Sequence, residues 1–454
     1  MNIILKNNLR LSNVPSELRT ILVQRLEFAN PKWIENARMS RWNRGTPKTL
    51  KFYDKIKGGG LWIPRGYMRQ LILLCRRHKI SFQIEDKRRN LKKTEFSFAG
   101  QLKPFQKEAV DKMLSKEFGT LSSPTGSGKT VMALFIISQR SQPALIVVHT
   151  KELAVQWINR VETFLKIPAS EVGFIGGGNK KIGKQISVAL VQSLYKCALE
   201  VSQYIGNLVV DECHRAPSRT FTEAVTEFDS KYMLGLSATP YRRDKLSKLI
   251  FWHIGDVHYE VDRNHLIQTG DVLPVSVVTR ETDFKPYFDP VNQYSKMLSE
   301  LTMNDKRNHL IAADVAKETL KERGVCLVLS DRKKHCETLL SLLKYKHKIS
   351  AEILTGSLSA GHRQKVIDRL NQGKVKVLIA TGQLIGEGFD CKNLSTLFLS
   401  TPIRFSGRVV QYLGRILRPA PGKEKARLFD YVDINVEPLK NAAKARQKVY
   451  KASS

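Results

Sequence analysis

The sequence has no apolar run near the roughly 20 residues that a membrane-crossing helix needs; the run Leu71 to Cys75 stops after five. Its start shows no charged region followed by an apolar stretch and a small-residue cleavage site. The expectation is a chain with no secretory leader, located in the cytoplasm and away from membranes. There is no CxxC pair. Cys75, Cys197, Cys213, Cys326, Cys336 and Cys391 are scattered, as suits buried thiols in a reducing compartment and not a disulfide framework or a structural zinc site. Short-period repeats and low-complexity tracts are missing too. Acid is scarce: 42 Asp and Glu stand against 75 Lys and Arg, a formal charge of +33. With 42% hydrophobic positions over 454 residues, the chain can bury sizeable cores in roughly two to four domains.

An excess of this size attracts polyanions, and nucleic acid is the commonest one. It is uneven: residues 1 to 100 carry 22 basic and 7 acidic side chains. Residues 1–90 mix Trp33, Trp42, Trp62, Tyr53 and Tyr67 with these cations and end in a charged stretch, Asp86 to Lys93, that reads as a solvated linker. From 95 to 262, apolar runs alternate with helical stretches. The strands expected are Gly119–Ser122, Ala144–His149, Ile186–Val191, Leu208–Asp211 and Met233–Ser237. Residues 301–435 repeat the pattern, with Val325–Ser330, Ala351–Leu354, Val375–Ala380, Thr396–Ser400 and Arg427–Tyr431. Continuous apolar runs suit parallel strands covered on both faces, so two α/β sheets in tandem are expected, joined by residues 263–300. The basic tail, 436–454, is either a phosphate-facing helix or a frayed end.

Ser123-Pro-Thr-Gly-Ser-Gly-Lys-Thr130 follows a strand and opens a helix, with the spacing of a phosphate-binding loop; Ser123 stands where that pattern has its first glycine. Pro124, Thr125, Gly126, Ser127 and Gly128 would curl backbone amides around phosphate oxygens beside a helix N-terminus. Lys129 would reach the β- and γ-phosphates of ATP, and the Thr130 hydroxyl would bind Mg²⁺. About eighty residues later, Val209-Val210-Asp211-Glu212 ends another strand. Asp211 suits the Mg²⁺ and Glu212 suits polarisation of the attacking water. Cys213 and His214 are adjacent and lack nearby partners, which argues against zinc. Arg415 and Arg418 sit three apart, on one face of any helix there, and can neutralise charge on the γ-phosphate.

These residues resemble the superfamily two helicases. Asp211-Glu212-Cys213-His214 is a DExH box, and Ser237-Ala-Thr-Pro240 resembles motif III. Ile379 to Asp390 is similar to motif V, and Gln411-Tyr-Leu-Gly-Arg-Ile-Leu-Arg418 has the Q-x-x-G-R-x-x-R form of motif VI. Leu102-Lys-Pro-Phe-Gln106 resembles the adenine-reading glutamine motif. His149-Thr-Lys-Glu-Leu153 and Val191-Gln-Ser-Leu194 resemble the nucleic-acid-touching motifs Ia and Ic. The resemblance covers about residues 100 to 435. It implies two tandem RecA-like parallel-sheet domains, preceded by a small basic α+β domain. Carried over residue by residue, it puts Gln106, Gly388 and Asp390 at the nucleotide, Gln411, Arg415 and Arg418 among the catalytic residues, and Thr150, Lys151, Gln192, Ser193, Thr355, Gly356 and Thr381 on nucleic acid.

The Gln-Ser-Leu and Gly-Arg-Ile-Leu-Arg-Pro strings look nearest to DNA helicases of the xeroderma pigmentosum B type and to phage branch-migration helicases. Tyr241-Arg-Arg-Asp244 only partly resembles the Arg-Glu-Asp element of the repair branch. Near the start, Arg41-Trp42 with Gly45, Thr46 and Pro47, then Gly60 to Gly66, resembles the small N-terminal domain of such helicases, so Arg41 and Trp42 are candidate nucleic-acid contacts; Trp42 and Trp62 are equally candidates for a small core. The expected function is an ATP-dependent DNA helicase or translocase acting on forked or branched duplexes. Its alternatives are an ATP-switched DNA clamp, or motor subunit of a restriction complex, that does not unwind, and an RNA helicase. Protein partners are not legible.

Overall fold

The computed structural model describes residues 1–451 apart from 216–218, 239–246, 322–323, 357, 359, 383–390, 392, 404–408, 410–411, 415, 418 and 421–422. The chain falls into two compact units. One comprises Met1–Ser123 with Gly128–Val261; the other runs from Asp262, and the loop residues 124–127 group with it.

The first unit opens with a five-stranded layer. Its strands are β1 (Asn2–Leu5), β2 (Asn8–Ser12), β5 (Asp54–Ile56), β6 (Gly60–Pro64) and β7 (Gln83–Asp86), in the order β5-β6-β2-β1-β7, while β3 (Glu27–Ala29) and β4 (Thr49–Lys51) pair separately. Alternation decides its faces: Ile3, Leu5, Leu9 and Leu11 point inward and are buried, and Arg10 between them points out. Helices Ser16–Arg25 and Met68–Arg77 cover the inner face with Leu18, Leu22, Leu71 and Leu74. The layer does not close its own core. Leu249 and Trp252, from the helix Ser247–Ile254, complete it. The Trp252 ring lies 5.3 Å from Phe52, 5.9 Å from Phe28 and 6.1 Å from Tyr67. Gly66 is required at this joint, because a Cβ there would stand 2.2 Å from the Phe251 carbonyl oxygen.

The stretch Asp86 to Lys93 is therefore not a solvated linker. Arg88, only 3% exposed, pairs with both Asp86 and Glu117. Arg89 pairs with Asp229 at 2.8 Å, and its backbone N–H donates to the Asp229 carbonyl. Glu117 and Asp229 lie 29 and 140 positions away, so local composition could not separate this pinned segment from a free one. Neither tryptophan in question belongs to the core: Trp42 is 82% exposed and Trp62 36% exposed. Tyr67 is the aromatic that is buried.

Behind this layer stands an eight-stranded sheet of order β11-β10-β12-β9-β13-β14-β8-β15. Its strands are β8 (Phe118–Ser122), β9 (Ala144–Val148), β10 (Gly173–Gly176), β11 (Asn179–Lys181), β12 (Ile186–Leu190), β13 (Asn207–Val210), β14 (Tyr232–Ser237) and β15 (Val257–Glu260). All neighbours are parallel except β10 and β11. The five expected strands are present; the polar β11 and the half-exposed edge β15 gave no apolar signal.

The second unit carries a fully parallel six-stranded sheet of order β16-β21-β20-β17-β19-β18. Its strands are β16 (Val275–Thr282), β17 (Val325–Ser330), β18 (Glu352–Leu354), β19 (Val377–Thr381), β20 (Leu394–Leu399) and β21 (Ala426–Asp433). Residues 263–300 are more than a connection, since β16 pairs with β21 over eight residues. Over Glu437–Lys451 the tail is a helix fixed by buried Arg446, which donates to Asp430 at 2.8 Å, and by the Tyr450 hydroxyl on the same carboxylate. Among the described residues no helix is long and apolar enough to cross a membrane.

Candidate nucleotide site and strand-end edge

The loop between β8 and the helix Lys129–Arg140 turns on two glycines in the left-handed region, Gly126 at φ 93° and Gly128 at φ 85°. A side chain there would be strained. Gly128 has a second reason: a Cβ on it would meet the Gln106 side-chain nitrogen at 2.4 Å, so Gln106 is brought against the loop. The Gln106 amide oxygen accepts from the Lys103 N–H at 3.0 Å, which sets the amide's orientation. The Ser127 hydroxyl donates to the Pro124 carbonyl at 2.7 Å, and the Lys129 ammonium donates to the Ser123 carbonyl at 2.9 Å. Thr130 follows at the helix start, half-buried.

Asp211 emerges from the carboxyl end of β13, two strands across from β8 by way of β14, hence about 10 Å away at strand spacing. Its carboxylate accepts the Trp157 indole N–H at 2.8 Å and the Glu212 N–H at 2.9 Å. Burial, then the charge of Glu212, pushes the Asp211 carboxyl up to about 6, against the pull of Trp157 and Lys129. Glu212 sits at φ 49°, a strained position for a non-glycine residue. Its carboxylate lies 3.1 Å from His214 Nδ1, and the same nitrogen lies 3.1 Å from the Ser237 hydroxyl. His214 therefore ties the acid to the end of β14, which explains a histidine here without any metal. Cys213 is buried, and its thiol is pushed well above its ordinary value by burial. Among the described residues no group of three or more His, Cys, Asp or Glu is placed to hold a metal by itself.

The donor set nevertheless fits a hard cation bound together with phosphate oxygens. A buried carboxyl raised by a like-charged neighbour gains from an added positive charge, and Asp211 and Thr130 are the oxygen donors that would hold Mg²⁺. When bound, the ion would neutralise charge developing on the phosphates.

The same edge of this sheet continues into β9 and β12, which are direct neighbours. Thr150 caps the helix Lys151–Leu165, its hydroxyl accepting the Leu153 N–H at 3.3 Å, and Lys151 is exposed beside it. The Gln192 amide donates to the His149 carbonyl at 3.2 Å, and Ser193 stands next to it in the short helix Val191–Leu194. Thr150, Lys151, Gln192 and Ser193 are thus brought together. In the second unit, β18 beside β19 brings Thr355, Gly356 and Thr381 to one edge in the same way. Thr355 is buried, whereas the space at Gly356 is open. Arg363 Nε donates to the Leu358 carbonyl at 3.1 Å, and its guanidinium reaches the Gly356 carbonyl at 3.4 Å.

Arg41 and Trp42 are exposed in the N-terminal layer. Thr239, Pro240, Tyr241 to Asp244, Gly388, Asp390, Gln411, Arg415 and Arg418 lie outside the described residues. Trp157 and Arg363 escaped sequence reasoning. Trp157 reads as one more apolar residue of a helix, and nothing local announces its indole hydrogen bond.

Residues 99–242 match the family described as type III restriction enzyme, res subunit, and residues 305–420 match the helicase conserved C-terminal domain. A putative ATP-dependent RNA helicase, L396, of Acanthamoeba polyphaga mimivirus is 26% identical over 78% of this chain and 69% of its own length. The DNA 3'-5' translocase XPB2 of Sulfurisphaera tokodaii is 26% identical over 70% of this chain and 79% of its own. Among solved structures, S. cerevisiae Dbp5 bound to RNA and ADP BeF3 aligns with a TM-score of 0.55 at 18% identity, over 77% of this chain and 88% of that one. That likeness is one of fold, two tandem RecA-like domains. With both family matches in sequence order and the phosphate-binding loop, the DExH box and the motif III serine on neighbouring strand ends, the chain belongs to the superfamily two helicases.

Proposed function

We propose that this helicase is a nucleic-acid-stimulated ATPase that translocates on DNA and remodels forked or branched duplexes. One observation carries the reading: a single strand-end edge bears Lys129, Thr130, Asp211, Glu212 and His214 at one end and Thr150, Lys151, Gln192 and Ser193 at the other. Gly126, Gly128 and Lys129 hold the phosphates, and Gln106 reads the adenine. Glu212, oriented by His214, accepts a proton from the attacking water. Arg415 and Arg418 are assigned the positive charge that the γ-phosphate needs, Gln411 is assigned to the catalytic residues beside them, and Gly388 and Asp390 to the nucleotide contacts. Thr355, Gly356 and Thr381 are assigned as the second unit's own strand contacts.

Choice of branched DNA is assigned to the N-terminal layer. There Arg10 covers the Trp62 ring at 5.8 Å, Lys48 covers Trp33 at 5.5 Å, and Trp42 stands exposed beside Arg41. Cations interleaved with aromatic rings suit phosphates next to unpaired bases. DNA is favoured by the relative named a DNA translocase. The RNA reading is kept alive by the relative named an RNA helicase. The test is ATPase activity with single-stranded, duplex, forked and four-way DNA and with RNA, paired with strand displacement on forked and blunt duplexes. Stimulation and displacement highest on forked DNA are expected. Stimulation by RNA alone overturns the DNA assignment, and hydrolysis without displacement reduces the chain to an ATP-switched clamp.

A further inference from the structure

Thr381 is the last residue of β19, and the peptide that follows it is boxed in. A Cβ on Gly382 would lie 2.5 Å from the Tyr412 hydroxyl and 3.3 Å from a carboxylate oxygen of Asp331. Tyr412 is 1% exposed, and its hydroxyl donates to the Gly382 carbonyl at 2.8 Å. On the other side, the Asp331 N–H donates to the Thr401 hydroxyl at 3.0 Å, which ties the turn after β17 to the end of β20. The residue just past the strand-contacting edge is therefore gripped by a side chain from the motif VI segment. In the chain, Tyr412 directly follows Gln411 and precedes Arg415 by three residues.

We infer that the Tyr412 hydroxyl is the positioning contact through which nucleic acid seated at Thr381 acts on the Gln411 to Arg418 segment. The inference rests on the strand contacts proposed above. The physical reason is that both bonded groups are buried. If a seated strand shifts the Gly382 carbonyl, Tyr412 must follow or the buried bond between them is lost, and the second course is the costly one. Coupling between sites then requires that this contact shift when a strand is seated. Gly382 is suited to the task because any larger residue would push the hydroxyl away.

The test is Tyr412→Phe, which keeps the ring and removes only the hydroxyl, compared with Thr381→Ala and the double variant. ATPase rates are measured from zero to saturating nucleic acid, together with the KM for ATP and the affinity for a labelled strand. In Tyr412→Phe the maximal stimulated rate falls by about 5-fold or more, the lower end of ordinary coupling between two sites. Strand affinity and the KM for ATP stay near the parent values, and the loss is not additive with that of Thr381→Ala. Gly382→Ala, which displaces the hydroxyl, lowers stimulation in the same way; should that variant fail to fold, Tyr412→Phe still decides. Intact stimulation in Tyr412→Phe, or an equal loss with and without nucleic acid, overturns the inference. A parent protein that no nucleic acid stimulates defeats the proposed function itself.

Discussion

The N-terminal layer and the strand-end edge of the first sheet belong to one compact unit, yet opposite means hold them in place. The layer is closed by packing: Trp252 and Leu249 fill its core, and the buried Arg65 gives its charge to neutral partners, the Ser230 carbonyl at 2.8 Å and the Phe118 ring at 5.5 Å. Burial and neighbouring Arg88 bring the Arg65 guanidinium down to about 9. The edge is closed by polar links instead, Trp157 to Asp211, His214 to Glu212 and Ser237, and Gln192 to His149. Packed cores resist partial displacement, whereas a hydrogen bond can be exchanged for a bond to a ligand. The contrast is between a part that carries and a part that responds.

The largest effect should come from the responding edge. Lys129→Ala and Glu212→Gln should each lower ATP hydrolysis by about 10³-fold or more, in line with losing a charge-stabilising or water-orienting group. Nucleotide binding should survive in Glu212→Gln, and steady-state ATPase with a nucleotide-binding titration reads both. A near-normal rate in either variant would place the chemistry elsewhere.

Next in size is the carrying layer. Trp252→Ala should cost about 3–5 kcal/mol of stability, since a ring 3% exposed leaves a cavity among Phe28, Phe52 and Tyr67. A chain beginning near Glu95 keeps every ATPase motif but strips the cover from Trp252, Leu249 and the Phe118 side of β8, so it should aggregate or melt well below the full chain. Thermal unfolding of both tests this. A truncated chain as stable as its parent would show that the layer is only an appendage.

A smaller effect sharpens the contrast from the edge side. Because the Asp211 carboxyl is raised, its ionisation opposes folding. The cost is absent below about pH 4, develops as pH rises toward 6 and is complete above it. Asp211→Asn should therefore stabilise the protein without nucleotide by about 1–3 kcal/mol at pH 7, with no gain at pH 4, while abolishing Mg²⁺-dependent hydrolysis. Unfolding at the two pH values decides it, and a variant less stable at pH 7 would mean that the carboxylate serves the fold. Smallest of all, Trp42→Ala should change stability by under about 0.5 kcal/mol but weaken affinity for forked DNA by about 10-fold. Unchanged affinity would remove Trp42 from the interface.

Legibility in the sequence followed burial. All ten apolar runs became strands, because a strand covered on both faces must be apolar throughout. In the two parallel sheets the strands that escaped were β10, the polar β11, the half-exposed edge β15, and β16, which pairs only with β21 at the margin of its sheet; the short strands β1 to β7 of the N-terminal layer escaped as well. In the proposed site, Lys129, Asp211 and Glu212 could be singled out from the sequence because phosphate and metal chemistry calls for those side chains after a strand. The work of His214 and Trp157 was not, because it consists of contacts to residues 23 and 54 positions away. The ion pairs of Arg88 and Arg89 escaped for the same reason.

The helix Ser247–Ile254 begins shortly after the motif III segment and ends with Trp252 in the core of the N-terminal layer. The layer consequently cannot be inherited as a cassette. A recombination event joining another N-terminal domain at residue 90 would import a surface that fits neither Trp252 nor the backbone against which Gly66 lies. A foreign domain would fit here only with a matching change in the helix Ser247–Ile254, so the layer and that helix form one structural unit.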